Sequence, residues 1–279
     1  MHLNARKIVF RIFVYTLSVV IFTFAIAPFL WTIITSLKDE FSVYARVPSL
    51  IPNPVTLDNY RQVIENPLML NYFKNTVVVA LSSTFISLFI ALFAAYGFSR
   101  YKFPGRTPLL FSVLFIRLLP RVSLLVPFYV TLSRLNLVNT HEGLILVYLI
   151  IGMPIAVWLM KGYIDALPYE IEEAAVVDGC GPFAIIFKII VPQIAPALAS
   201  VGMFSFILAW NEFLFPLTLA KDSSTRPLSV ALAFYIDDFG IQWGPLMAAS
   251  VLMSIPALVF FSFAQKYIVK GLSEGAVKG

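Results

Sequence analysis

Side chains able to do chemistry are few in this sequence, and they fall into two groups. One is a carboxylate-rich run in which Glu170, Glu172 and Glu173 precede Ala174, Ala175, Asp178, Gly179, Cys180, Gly181 and Pro182. The other is Arg117 and Arg121, with Trp210, Asn211 and Glu212, set among apolar residues. Neither suits a membrane enzyme, which needs paired carboxylates, a histidine cluster or a nucleophile motif at membrane depth. His2 and His141 lie apart from both groups, and with Cys180 they give no ligand set for a metal and no internal disulfide. No catalytic residue and no metal site are expected, and Cys180 reads as a small filler beside two glycines. A G-x-x-x-x-G-K-[ST] phosphate loop is absent from the sequence, so ATP and Mg are not expected to bind this chain. The chemistry left is ion pairing and docking.

The carboxylate run must be carried by a helix. Pro168 suits a first helical position, and the three glutamates fall in the opening turns, where the helix dipole favours negative charge. Gly179 supplies a stop and Gly181-Pro182 a turn, and a second helix carries Ile185, Ile186, Ile189 and Ile190. Ala174 and Ala175 leave a low-profile surface that can enter a partner's groove, and Glu173 offers a carboxylate to a cation there. The plainer reading is a loop lying on its own membrane surface, with alanines chosen for helix propensity.

The elements around both groups are membrane spans. The 279 residues are 59% hydrophobic and 13% charged, and a mean hydropathy of +0.87 exceeds what one soluble core could bury. About 20 apolar residues cross a bilayer, and charge-free windows at 12–37, 75–99, 143–160, 189–211 and 239–265 meet or approach that length. A sixth window, 107–132, holds Arg117, Pro120 and Arg121, and Pro120 can unwind the helix there and leave Arg121 to cap it or snorkel outward. The fold class expected is an all-α integral membrane protein with six transmembrane helices and one domain, 1–279, whose loop 161–192 forms a cytoplasmic helical hairpin. The first span follows Arg6, Lys7 and Arg11 without a cleavage site and is expected to be retained.

Orientation follows from basic residues. Eleven lie on the side of the termini, the 100–106 loop and the 161–192 loop, against seven in the opposite segments 38–74, 134–142 and 217–238. The excess makes the side of both termini cytoplasmic. The net charge of +5 is dispersed between apolar runs, which excludes a nucleic-acid stripe. Polar groups at membrane depth are functional candidates by default, so Arg117, Arg121, Asn211, Glu212 and Trp210 are candidate pathway-lining residues. A structural pairing of Glu212 with one of the arginines is the favoured reading, and Arg117 and Arg121, four apart, are expected on one helix face.

The pattern Glu173-Ala174-Ala175, three residues, Gly179, nine residues, Ile189, one residue, Val191-Pro192 resembles the signature loop of binding-protein-dependent ABC import permeases. Val191 stands where leucine is usual. Asn139 to Leu146, Pro154, Trp158 and Gly162-Tyr163 look like the carbohydrate branch; Trp210 to Phe213 and the tail 269–279 look like the maltose-type second permease. The resemblance implies a type I ABC importer-like fold in the cell inner membrane. It implies a second permease subunit in a heterodimer, two ATPase subunits carrying ATP and Mg, and an extracytoplasmic solute-binding protein. It assigns the coupling loop to Glu172, Glu173, Ala174, Ala175, Asp178, Gly179, Gly181, Pro182, Ile189 and Pro192. The function implied is import of a sugar or oligosaccharide, with a glycerol phosphate or polyol as the alternative. A stand-alone secondary transporter would show related halves, and no internal repeat is present.

Overall fold

The computed structural model describes residues 2–237 and 240–276. Among them, five helices are long and apolar enough to cross a membrane, or six if one bent pair counts as a single span. Where one domain, 1–279, was expected, contacts gather into two compact units: Met1–Pro67 with Leu232–Ser254, and Leu68–Ala231 with Ile255–Gly279.

In the first unit the helix His2–Ser36 contains the apolar span Lys7–Ser36. Asn59 closes its end by donating to the carbonyls of Ser36 and Lys38 at 2.9 and 2.7 Å, which satisfies acceptors that a helix C-terminus leaves open. Lys38, expected at the start of an irregular surface arm, is instead 2% exposed, with its ammonium 4.5 Å from the centre of the Trp31 ring. The arm ends earlier than expected, because the next long helix starts at Met69 and takes in Lys74. A short antiparallel ribbon pairs Ile236–Asp237 with Gly240–Ile241 and leads into the helix Trp243–Ala276. The expected 217–238 segment ends at Asp238, outside the described residues.

The second unit is built on Met69–Arg100, His141–Asp165 and Ala195–Leu219. With lipid on the outside, close packing rather than water exclusion joins such helices. Small residues allow it: Ala91, Ala95 and Ala156 are wholly buried, and a Cβ on Gly202 would stand 3.0 Å from a Leu88 methyl. Thr140 caps His141–Asp165 by accepting from the Gly143 N–H at 3.0 Å. Gly143 must be glycine, since a Cβ there would meet the Leu137 carbonyl oxygen at 2.1 Å.

The 107–132 window departs from a straight span. It forms Arg106–Leu118 and Arg121–Arg134, bent by 101°. Pro120 has no N–H to give and pushes the residue before it out of the helical region; Leu119 accordingly sits at φ −71°, ψ 135°. Arg117 and Arg121 therefore flank a break and do not share one helix face. The 189–211 window also shifts, because residues up to Gln193 belong to the preceding apolar helix Pro182–Gln193 and the span runs Ala195–Leu219.

Candidate functional site

The carboxylate run forms the helix Glu170–Val177, capped at Tyr169, so Pro168 precedes the helix rather than opening it. All three glutamates occupy the first turn. At the other end the Gly179 N–H reaches the Val176 carbonyl and the Cys180 N–H the Ala175 carbonyl, both at 2.9 Å. That is the paired closure of a Schellman motif, whose turn residue takes positive φ; Gly179 has φ +83°. Pro182 then opens Pro182–Ala184, which continues through a π-helical stretch, Ile185–Ile190, to Val191–Gln193. Ile185, Ile186 and Ile190 are buried and Ile189 half-buried, so the second arm anchors the hairpin to the span bundle.

The two faces of the first arm differ. Glu172 and Ala175, three apart, are buried at 3% and 6% exposure. Glu173, Ala174, Asp178, Gly179, Gly181, Pro182 and Pro192 are exposed. The two alanines expected to act together thus separate, Ala175 packing into the core and Ala174 facing out. Val176, Val177 and Phe183 are exposed around Ala174 in sequence at 59%, 87% and 69%. The hairpin thus leaves large apolar side chains uncovered.

Glu172 is held by the end of Met69–Arg100. Its Oε1 accepts from Arg100 Nε at 2.5 Å and its Oε2 from the Tyr96 hydroxyl at 2.9 Å. Arg100 Nη2 donates to the carbonyls of Ile164 and Leu167 at 3.0 and 3.1 Å. One guanidinium therefore joins Met69–Arg100, the end of His141–Asp165 and the hairpin. The pair is buried, with side-chain exposures of 10% and 4%, and removing one partner of such a pair costs roughly 3–5 kcal/mol, because the other charge is stranded.

The second group lines a cavity of about 220 Å³ among the spans of this unit. Arg117, Arg121, Asn211 and Glu212 lie on its wall with Ser83, Ser87, Tyr148 and Ser205. Arg121 and Glu212 form an ion pair, and Glu212 Oε1 also takes the N–H groups of Leu214 and Phe215 at 3.0 and 3.3 Å. Trp210 does not line this cavity. It is 2% exposed, edge-on to Phe73 at 6.1 Å and tilted on Phe206 at 5.3 Å, a packing residue of the span. Among the described residues, no group of three histidines, cysteines or carboxylates is placed to hold a metal ion.

Residues 87–274 match the family model described as the binding-protein-dependent transport system inner membrane component. The chain belongs to this family. Both the hairpin and most of the cavity wall fall inside the matched stretch. Among relatives of this permease, the trehalose/maltose transport system permease protein MalG of Thermococcus litoralis is 35% identical, over 90% of this chain and 91% of that protein. The diacetylchitobiose uptake system permease protein DasC of Streptomyces coelicolor is 30% identical, over 98% and 99%. In fold, the permease matches a chain from the crystal structure of a bacterial ABC transporter involved in the import of the acidic polysaccharide alginate. That match has a TM-score of 0.80 at 23% identity, over 92% and 97% of the two chains. It is a multi-pass permease component of an ABC importer.

Sequence reading missed Arg100 and Tyr96 as parts of the hairpin's mount, and Ser87 and Ser205 as parts of the cavity. Arg100 stands 72 residues from Glu172, and its charge was legible only as a membrane flank.

Proposed function

We propose that this permease imports a sugar or oligosaccharide. It pairs with a second permease subunit, is driven by two ATPase subunits that carry ATP and Mg, and is loaded by an extracytoplasmic binding protein. Both termini and the 161–192 hairpin face the cytoplasm. The observation that carries the reading is the two-faced helix Glu170–Val177, which presents Glu173 and Ala174 outward while Glu172 is tied through Arg100 to two span ends. Closure of the ATPase pair would push the exposed face, and the buried ion pair would pass that push to the spans. The sugar assignment is supported by the relatives named for trehalose/maltose and diacetylchitobiose.

The test is the purified complex with its binding protein. A sugar-loaded binding protein should stimulate ATP hydrolysis, and failure of every sugar tried, beside success with an amino acid or peptide, would refute the carbohydrate reading. Glu173→Lys reverses the charge offered to the partner and should lower uptake per ATP hydrolysed by about tenfold or more, the effect of a 1.4 kcal/mol coupling loss. Normal uptake and normal assembly in that variant would remove Glu173 from the contact.

A further inference from the structure

The cavity wall carries more positive charge than it answers. Arg117 and Arg121 both line it, and Glu212 is the carboxylate among the lining residues. Glu212 is already engaged by Arg121 through Oε2 and by two backbone N–H groups through Oε1. Arg117 donates to the Ile151 carbonyl at 3.5 Å, and among the described residues it has no carboxylate within ion-pair distance. A guanidinium cannot shed its proton, so one positive charge on this wall is left without a carboxylate partner among the described residues.

A second observation points to what the charge awaits. Ser87 and Ser205 line the same cavity and are buried at 3% and 6% exposure, and their hydroxyls have no hydrogen-bond partner. A serine or threonine in a span normally returns its hydroxyl to a carbonyl one turn back, as Ser83 and Thr84 do to Ala80. Two hydroxyls without partners on different helices, in one cavity with a guanidinium that has no carboxylate partner among the described residues, give the recess a positive pole and neutral donor–acceptors. The volume of about 220 Å³ is below the roughly 300–1,000 Å³ of pockets that enclose drug-sized ligands. It has room for one monosaccharide unit.

We propose that this cavity is a transit site for a single sugar unit bearing an anionic substituent, its anion held by Arg117 and its hydroxyls by Ser87 and Ser205. The proposal deepens the sugar-import reading and rests on it.

Solvent and substrate access can be read by thiol labelling of the intact importer, using Ser87→Cys in a Cys180→Ser background and Ser205→Cys as the second reporter. Glucuronate, glucose and acetate serve as probes. Glucuronate should slow labelling at a concentration about tenfold lower than glucose, the preference expected for one charge-assisted contact, and acetate should not protect. Arg117→Gln should erase the difference and Arg117→Lys should keep part of it. Equal protection by glucuronate and glucose, no protection by either at both reporters, or a preference that survives Arg117→Gln would overturn the proposal. Stimulation of ATP hydrolysis by a sugar-loaded binding protein, measured on the same complex, tests the import reading separately. If that persists while the anion preference fails, only the transit site is lost.

Discussion

At Gly179 the backbone makes the hairpin corner with φ +83°, and at Gly181, two residues on, it is extended at φ −77°. Alanine at 179 should therefore cost about 1–2 kcal/mol, the penalty of a Cβ in the left-handed region. Alanine at 181 should change stability by less than ~0.5 kcal/mol, as nothing lies within 4 Å of its added Cβ. Thermal unfolding of the two purified variants decides this, and equal losses would mean the corner is not strained as described. Asp222 gives a pH prediction. Its carboxylate accepts from the Ser224 hydroxyl and N–H at 2.5 and 2.9 Å and from Asn139 at 2.7 Å, and these bonds, Ser224's first, hold it below the usual aspartate range. A lowered folded value contributes stability above the unfolded one, lost as pH falls through the lowered value. Hydrogen-exchange protection of residues 221–226 should be flat from neutral pH down to the ordinary aspartate range and drop below it, and Asp222→Asn should abolish the drop. The glycine corner was legible because a turn needs a residue type. The burial of Trp210 was not, since an aromatic at membrane depth reads the same whether it packs or lines a path.

At the scale of elements, the proposed coupling needs a stiffly held hairpin, and Arg100 joins it to Met69–Arg100 and the end of His141–Asp165. Glu172→Gln or Arg100→Gln should leave a buried charge unanswered and cost roughly 3–5 kcal/mol. In complexes that still assemble, uptake should fall further than ATP hydrolysis. A Glu172→Arg, Arg100→Glu exchange should recover part of the coupling, which a purely local packing defect would not allow. Parallel loss of uptake and hydrolysis in every variant would leave Arg100 a stabiliser and no more. The hairpin's two arms and their hinge were readable from Glu170, Gly179 and Pro182, because caps and stops are local. Its inner and outer faces were not, since Ala174 and Ala175 differ only in what the fold places beside them. Pro120 likewise announced a break, but the 101° bend depends on what packs on either side.

At the scale of the whole chain, apolar length and basic flanks were enough to outline a multi-pass protein with a hairpin between its fourth and fifth spans. The boundaries moved where apolar runs continued outside a span, as at Ile189, because hydropathy alone does not separate a buried hairpin arm from a membrane helix. The central claim is that the exposed face of Glu170–Val177 is where an ATPase subunit grips the permease. The direct measurement uses Ala174→Cys in a Cys180→Ser background, carrying a thiol-linked photocrosslinker in the reconstituted importer. The claim predicts an adduct between this permease and the ATPase whose yield changes with ATP. Labelling of Ala174→Cys by an impermeant reagent from the binding-protein side, with no ATPase adduct, would contradict it.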